Sequence, residues 1–307
     1  MDTEKKPKVG CVIVTYNPDA SLLQKNLDAV SGQVDALFVS DNSTSPSAEA
    51  AALFDSLSGS RSATYHKMGG NLGIAAAQNA GIGNLLDLGC DYIFFLDQDS
   101  TVPPGMVESL VEAAGRLRLD GVKLGAIGPR PFNRGENRDY RGTVVKGTRL
   151  SDSITAIPEI ISSASLVPAS VFADAGMMDA SLFIDYVDFE WCWRAAAKGY
   201  RFFILESVRL SHQVGEGDRK FLGRKIPIAT PFRLYYQVRN FFLLAPRRYV
   251  PAYWKLARAC KVAFFAFYYP LAVRPRAEYL RRFWWGIGSG IAGVLRSKAP
   301  ENNSTTL

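Results

Sequence analysis

The sequence contains few of the residues that build disulfide frameworks and zinc sites. Its 307 residues include 4 cysteines and 2 histidines. The cysteines are scattered and show no C-x-x-C spacing, which excludes a zinc ribbon and argues against a fold held by disulfides. We therefore expect isolated buried thiols in a reducing compartment.

The sequence also lacks an apolar run long enough to cross a bilayer. Its two long apolar runs, Val262–Val273 and Phe283–Leu295, contain 12 and 13 residues, whereas a spanning helix needs about 20. Residues 1–8 are charged and have no apolar segment of the kind found in a secretion signal. We therefore expect a cytoplasmic protein. There is no repeat period either, which favours a globular fold over a solenoid.

Several common catalytic motifs are missing. The chain has no G-x-x-x-x-G-K-[ST] segment and no G-x-G-x-x-G after its first strand, which excludes a P-loop nucleotidase and argues against a dehydrogenase. It has neither a G-x-S-x-G elbow nor an H-E-x-x-H helix, so serine hydrolases and zinc proteases are excluded as well.

Charge is distributed very unevenly along the chain. Residues 1–215 hold 19 Lys and Arg against 25 Asp and Glu, a net of −6, whereas residues 216–307 hold 17 against 4, a net of +13. This asymmetry predicts an anionic partner for the C-terminal third. The acidic first two-thirds and the long apolar runs argue against nucleic acid and favour an anionic membrane surface. Packing of amphipathic helices on the catalytic domain or on a second copy stays open as the alternative.

Short apolar runs alternate with helix-like stretches along the first hundred residues. Val9–Val14, Ala36–Ser40 and Tyr92–Leu96 have the pattern of buried parallel strands, and Ser21–Ala29 and Ile74–Leu86 that of helices. The alternation predicts an α/β fold with a mainly parallel sheet. Ligands bind beyond the carboxyl ends of such strands, where the candidates are Thr15, Asp41 and Asp97.

The second half of the chain is less regular. We predict a helix over Asp188–Lys198, closed by Gly199. Further strands are predicted at Ile160–Val167, Tyr200–Leu205 and Val208–Ser211.

The main chemical signal is Asp97-Gln98-Asp99, directly after the apolar strand at residues 92–96. Two carboxylates two residues apart suit a hard divalent cation, since Mg²⁺ binds through one or two carboxylates plus substrate phosphates. The pattern alone is weak, because solvated aspartates are common in loops. Its position after a strand of an α/β chain favours a site for a nucleoside diphosphate.

A second acidic cluster follows some ninety residues later and contains Asp185, Asp188 and Glu190. Apolar surroundings raise a carboxyl pKa and suit it to general-base work. The alternative is that these carboxylates only stabilise the N-terminus of a helix. His212 is a candidate metal ligand or diphosphate contact, and the glycine-rich loop at Asn71–Gly73 is a candidate for close approach to a ligand or for close helix packing.

Taken in order, these segments resemble family 2 glycosyltransferases. The resemblance covers roughly residues 8–245, and the form of the two acidic segments is most similar to bacterial rhamnosyltransferases. The segments that carry it are VIVTYNP at 12–18, SDNS at 40–43, NLGIAAAQNAGI at 71–82, FLDQDS at 95–100, FIDYVDFEWCWRAAAKGY at 183–200, LSHQVG at 210–215 and YYQVRN at 235–240.

The resemblance implies a GT-A, Rossmann-like nucleotide-binding fold. The chain after residue 232 is basic, aromatic and helix-like, which predicts a set of C-terminal helices after that fold. It implies Mg²⁺ or Mn²⁺ bound by Asp97 and Asp99, with His212 as a further ligand. It matches Asp188 to the catalytic base, with Asp185 as its rival and Glu190 near the acceptor. The residues it assigns to the nucleotide sugar are Thr15, Tyr16, Asn17, Asp41, Asn71, Gly73, Asp97 and Gln98.

The implied reaction is transfer of L-rhamnose from dTDP-L-rhamnose to a hydroxyl group of a lipid-linked glycan, with inversion. Two alternatives stay open: a UDP-hexose donor on the same fold, and a nucleotide-sugar-binding protein without turnover. The oligomeric state is open too. We predict a catalytic domain over residues 1–245, an amphipathic helical extension over 246–299 and a disordered tail over 300–307.

Overall fold

The first strand, β1 (Val9–Thr15), lies inside a ten-stranded mixed sheet. It pairs in parallel with β2 (Ala36–Asp41) on one side and with β4 (Tyr92–Asp97) on the other. The strand β3 (Ala63–Lys67) extends this parallel part beyond β2. The three strands predicted from apolar runs are therefore confirmed as neighbours.

This structure is a computed structural model that describes residues 6–59, 63–133, 138–139, 147–211, 218–221 and 224–298.

Helices follow these strands because amphipathic stretches separate the apolar runs. Gly81 lets one helix approach the sheet, since a Cβ at this position would lie 2.7 Å from the side chain of Val12. The four helices of this part are α1 (Ala20–Ser31), α2 (Ala48–Ser58), α3 (Ile74–Asp87) and α4 (Met106–Leu119).

The rest of the sheet mixes parallel and antiparallel pairs. Its strand order is β3-β2-β1-β4-β9-β5-β10-β8-β7, with β6 paired to β5, and β10 is parallel to β5. These strands are β5 (Leu124–Asn133), β6 (Arg138–Asp139), β7 (Thr148–Arg149), β8 (Ile154–Ile157), β9 (Leu166–Pro168) and β10 (Arg201–Ser211).

Two strand predictions need correction. The predicted strand Ile160–Val167 is reduced to β9, because Ala164 has a φ of 57°, in the left-handed region, which breaks the extended run. The two strands predicted at 200–205 and 208–211 form one strand, β10, whose register against β5 shifts between Leu205 and Arg209. The predicted helix at 188–198 is confirmed as α6 (Val187–Ala196), which follows the short α5 (Ser170–Ala175).

The basic C-terminal third forms helices after a two-stranded antiparallel pair, β11 (Asp218–Phe221) and β12 (Arg224–Pro227). Thr230 caps the first helix by accepting a hydrogen bond from the backbone N–H of Arg233. Among the described residues, no helix is long and apolar enough to cross a membrane. The helices are α7 (Pro231–Leu244), α8 (Ala252–Ala272) and α9 (Arg276–Lys298).

Glycines in α9 tighten the helix packing. Gly290 faces α7 so closely that a Cβ would lie 2.7 Å from the carbonyl oxygen of Arg239, and Gly286 meets the carbonyl oxygen of Tyr235 in the same way. The helix α9 is continuous through these glycines, which serve as points of close contact.

The chain divides into two compact units. The first comprises Met1–Phe183 with Val187–Val214, and the second comprises Ile184–Tyr186 with Gly215–Leu307. This boundary lies earlier than the one we predicted at residue 245, because α7 packs with α9 and so belongs to the second unit. The tail predicted at residues 300–307 lies outside the described residues.

Candidate active site

The register of the parallel strands brings the three predicted strand ends to one edge of the sheet. Thr15 pairs with Asp41 across β1 and β2, and Val14 pairs with Asp97 across β1 and β4. The chemistry expected at these ends is therefore concentrated in one region of the first unit.

Asp41 is the centre of a buried hydrogen-bond network. Its Oδ1 accepts from the hydroxyl of Thr15 at 2.8 Å and from the backbone N–H of Ser43 at 3.0 Å. Its Oδ2 accepts from the hydroxyl of Tyr65 at 2.9 Å. Burial and this bond to Asp41 raise the pKa of Tyr65, so the phenol stays a donor at neutral pH. A carboxylate offers about four acceptor positions, and three of them are occupied here.

The loop after β1 is tied to its two neighbouring loops. The backbone N–H of Tyr16 donates to the side-chain oxygen of Gln98 at 2.8 Å, and the backbone N–H of Asn17 donates to the hydroxyl of Ser43 at 2.8 Å. Asn17 adopts a φ of 42° and accepts from the backbone N–H of Ser45. The Tyr16 side chain remains 47% exposed, which leaves an aromatic surface at the rim of this edge.

Gly73 begins α3 at a point where no side chain fits. Its φ is +88°, and a Cβ would lie 2.6 Å from the carbonyl oxygen of Phe183. Its N–H donates to the side chain of Asn71 at 3.1 Å, and its carbonyl oxygen accepts from the side chain of Asn42 at 3.0 Å. The glycine-rich loop is therefore fixed to both the β2 end and the segment before α6.

Asp97 and Asp99 lie in the turn that ends β4. The turn is closed by a hydrogen bond from the backbone N–H of Ser100 to the carbonyl oxygen of Asp97. The same oxygen accepts from the buried side chain of Asn26 at 2.6 Å. Asp97 is half-buried and Asp99 is exposed, so the two carboxylates of this turn differ in their access to water.

The described part of the chain contains no group of three or more His, Cys, Asp or Glu residues arranged to hold a metal. His212, the predicted third ligand, lies outside the described residues. Two carboxylates together with substrate phosphate oxygens are nevertheless a usual set for Mg²⁺. The oxygen donors of the β4 turn therefore fit a divalent cation that is completed by a diphosphate.

Asp188 lies in the first turn of α6 and is half-buried. Its pKa is raised to about 6, chiefly by burial and to a smaller extent by the charge of Asp97, whereas hydrogen bonds from the backbone at Phe189 and Ser162 oppose the shift. A carboxyl group with this pKa is ionised at neutral pH and still basic enough to accept a proton. This carboxylate, close to the β4 turn, is therefore a candidate general base.

Glu190 is in a different environment, although it lies only two residues away. Its side chain is fully buried and forms a two-point ion pair with Arg194, at 2.9 Å and 3.0 Å. Arg194 also donates to the carbonyl oxygens of Ala175 and Met177. The pair thus joins α6 to the end of α5, so Glu190 has a structural role in the first unit.

Asp185 lies in a strained segment. Phe183, Asp185 and Tyr186 have φ values of 65°, 63° and 67°, a conformation that non-glycine residues rarely adopt. Within the second unit, Asp185 forms an ion pair with Arg233 at 2.6 Å. Its carboxylate is therefore already engaged by a cation, unlike that of Asp188.

Sequence reasoning missed two residues that support the site. Asn26 has a readable signal, because it is a polar residue on the buried face of α1 between Leu23 and Val30. Tyr65 has no such signal, since only the pairing of β3 with β2 brings it to Asp41.

Comparison with known proteins gives a consistent pattern. A family model described as glycosyl transferase family 2 matches residues 11–164. The dTDP-rhamnosyl transferase RfbF of Shigella flexneri is 32% identical over 297 residues, covering 93% of this chain and 96% of its own length.

Solved structures share the fold at low identity. TarS of S. aureus, residues 1–349, superposes with a TM-score of 0.54 at 13% identity, covering 91% of this chain and 81% of its own. GalNAc-T7, solved with UDP, GalNAc and Mn²⁺, gives a TM-score of 0.57 at 14% identity, covering 97% of this chain and 59% of its own.

Proposed function

The chain belongs to glycosyltransferase family 2 and has the GT-A fold, and from this premise we propose that it transfers L-rhamnose from dTDP-L-rhamnose to a hydroxyl group of a glycan, with inversion. The observation that carries the proposal is the half-buried Asp188, whose pKa is raised to about 6 by burial and by Asp97. Binding a nucleotide sugar without turnover would require no such base, so this carboxylate favours an enzyme.

The donor is inferred from the relative that matches along nearly its whole length, which is named a dTDP-rhamnosyl transferase. Asp41 suits a pyrimidine base, because the Oδ2 atom that accepts from Tyr65 retains one acceptor position for a ring N–H. Thr15, Tyr16, Asn17, Asn71 and Gly73 complete the nucleotide end in this proposal. A UDP-sugar remains the rival donor, since TarS has been solved in complex with UDP-GlcNAc.

We assign the metal, Mg²⁺ or Mn²⁺, to Asp97 and Asp99, with Gln98 holding the turn against the loop at Tyr16. His212 stays a proposed ligand on the resemblance alone. A bound divalent cation supplies charge that stabilises a departing diphosphate. The buried amide of Asn26 fixes the backbone of Asp97 and so orients the pair.

Asp188 takes the proton from the acceptor hydroxyl in the proposed reaction. The freed oxygen attacks the anomeric carbon from the side opposite the nucleotide, and the bond to the diphosphate breaks as the new bond forms. No covalent intermediate is needed, and the configuration inverts. Glu190 holds α6 through Arg194, and Asp185 belongs to the ion pair with Arg233, so neither competes for the role of base.

We propose that the acceptor is a lipid-linked glycan of a cell-surface polysaccharide, such as an O-antigen, and that the enzyme attaches peripherally to the cytoplasmic face of the inner membrane. The second unit exposes large apolar side chains among its basic residues, including Phe267 at 71%, Trp284 at 60% and Trp285 at 56%. Aromatic and cationic side chains together favour an anionic membrane interface. Homo-oligomer formation through the same helices is the rival.

The role of the base predicts a separation of binding from turnover. Asp188→Asn removes the proton acceptor with little change in volume, so we expect transfer to fall by about 10²–10⁴-fold. Donor affinity, measured by calorimetry with Mg²⁺, should change by less than about threefold because Asp188 does not contact the nucleotide in this account.

Glu190→Gln is the matched control, since it alters a carboxylate two residues away. Breaking a buried ion pair destabilises a protein by about 3–5 kcal/mol, so this variant should lose thermal stability, whereas the folded fraction should keep substantial turnover. Near-normal turnover of Asp188→Asn would exclude Asp188 as the base, and abolished turnover in stably folded Glu190→Gln would assign that role to Glu190 instead.

The donor proposal predicts selectivity in a panel of nucleotide sugars. The purified chain is incubated with dTDP-rhamnose, UDP-glucose, UDP-galactose and UDP-N-acetylglucosamine, first with Mg²⁺ and then with EDTA, while thermal shift and nucleotide release are recorded. We expect a response selective for dTDP-rhamnose and lost with EDTA, because Asp97 and Asp99 need the cation to hold a diphosphate. An equal or larger response to a UDP-sugar would replace the donor.

The membrane proposal predicts a dependence on exposed aromatic side chains. Phe267→Ser and Trp284→Ser together should weaken binding to vesicles of anionic phospholipid by about tenfold or more in sedimentation, because each ring buries apolar area at the interface. Leu119→Ser, at an 87% exposed site in α4, should leave binding unchanged. Equal binding by all three proteins, with a change in mass by light scattering, would assign the surface to a second copy.

A further inference from the structure

One face of α8 carries two cations among buried aromatic side chains. Trp254, Arg258, Lys261 and Phe265 are spaced three and four residues apart, so they share one side of the helix. Trp254 and Phe265 are 4% and 3% exposed, and Arg258 and Lys261 between them are half-buried. Cations on an inward-facing stripe require a partner, because desolvating a charge is unfavourable unless an opposite charge compensates it.

The strained segment of the second unit borders this stripe. The guanidinium of Arg258 lies over the ring of Tyr186 at 5.1 Å and that of Trp254 at 6.0 Å. Arg233 of α7 reaches Asp185 at 2.6 Å. Three cations from two helices therefore gather around Asp185 and Tyr186.

Hydrogen bonds from a side chain of α7 fix the backbone of residues 184–186. The fully buried side-chain amide of Asn240 donates to the carbonyl oxygens of Ile184 and Asp185 at 2.8 Å and 3.0 Å. These bonds stabilise two successive residues in the left-handed region, Asp185 and Tyr186. Strained backbone that is held in this way is typical of ligand clamps.

This group of side chains is rich in positive charge. Burial lowers the pKa of Lys261 to about 8, the positive charges of Arg258 and Arg233 lower it too, and Asp185 opposes them. Arg258 and Lys261 add two positive charges to the ion pair of Arg233 with Asp185. A phosphate monoester or a diphosphate carries about two negative charges, which would compensate these cations. Guanidinium groups also form paired hydrogen bonds with its oxygens.

We propose that Arg233, Arg258 and Lys261 form a phosphate-binding site within the second unit, which recognises the phosphate of the acceptor substrate. The proposal names a substrate group for the transferase described above and in that respect rests on the proposed function. Asp185 holds Arg233 in place before the phosphate arrives. Phosphate borne on a lipid and a soluble diphosphate share this chemistry, and they are separated by the experiment.

The experiment measures binding of inorganic pyrophosphate to the full chain in EDTA, by calorimetry at fixed ionic strength. EDTA removes the divalent cation that the proposed donor site needs. The remaining pyrophosphate binding therefore reports on Arg233, Arg258 and Lys261, even if the donor assignment is wrong. We expect Lys261→Gln and Arg258→Gln each to weaken binding by about tenfold, as for loss of a charged hydrogen bond. Arg281→Gln, an exposed charge-matched control on α9, and Asp97→Asn should remain within about twofold.

A second arm uses vesicles of neutral phosphatidylcholine with and without phosphatidic acid, a lipid with a phosphate monoester. If Lys261→Gln loses the preference for phosphatidic acid and Arg281→Gln keeps it, the phosphate is lipid-borne. If only pyrophosphate binding falls, the ligand is a soluble diphosphate. Absence of pyrophosphate binding to the unsubstituted chain, or equal binding by folded Lys261→Gln, overturns the site. Lys261→Gln leaves the stacked Arg258 intact, so it remains informative if Arg258→Gln does not fold.

Discussion

The burial of Asp188 near the end of β4 is the constraint on which the site depends, because burial is the largest cause of its raised pKa. Parallel pairing of β4 with β1 fixes where Asp97 leaves the sheet, and the start of α6 fixes Asp188 close enough for the charge of one to raise the pKa of the other. A neighbouring carboxylate disfavours ionisation, so the charge of Asp97 adds to the effect of burial on Asp188. In the proposed mechanism, this placement assigns the metal to Asp97 and the proton transfer to Asp188.

The rest of the first unit serves to hold that placement. The buried Asn26 pins the carbonyl of Asp97, the Glu190–Arg194 pair anchors α6 to the end of α5, and Gly73 allows the start of α3 to contact Phe183. The acidic cluster at 185–190 therefore contains three carboxylates with three different environments. One is a candidate base, one is a structural ion pair, and one belongs to the basic group of the second unit.

Local sequence patterns predict the parallel strands and the residues at their ends, because an apolar run and the polar residue that follows it are neighbours in the chain. The same reasoning could not separate the roles of Asp185, Asp188 and Glu190. The pair of Glu190 with Arg194 is readable as an i, i+4 spacing, but the pair of Asp185 with Arg233 spans 48 residues and appears only once α7 is in place. The strand predicted at 160–167 was too long for a similar reason, since the left-handed conformation of Ala164 has no sequence signal.

The most direct test of this account is the pH dependence of kcat/KM for transfer, which reports the pKa of the free enzyme's base. Because the pKa of Asp188 is raised to about 6, the base is protonated below that pH and ionised above it. We expect kcat/KM to fall about tenfold per pH unit below about 6 and to be level above it, and we expect Asp188→Asn to abolish this inflection along with most of the activity. A profile that stays level down to pH 4.5, or an inflection near 6 that survives in Asp188→Asn, would contradict the assignment of Asp188 as the base.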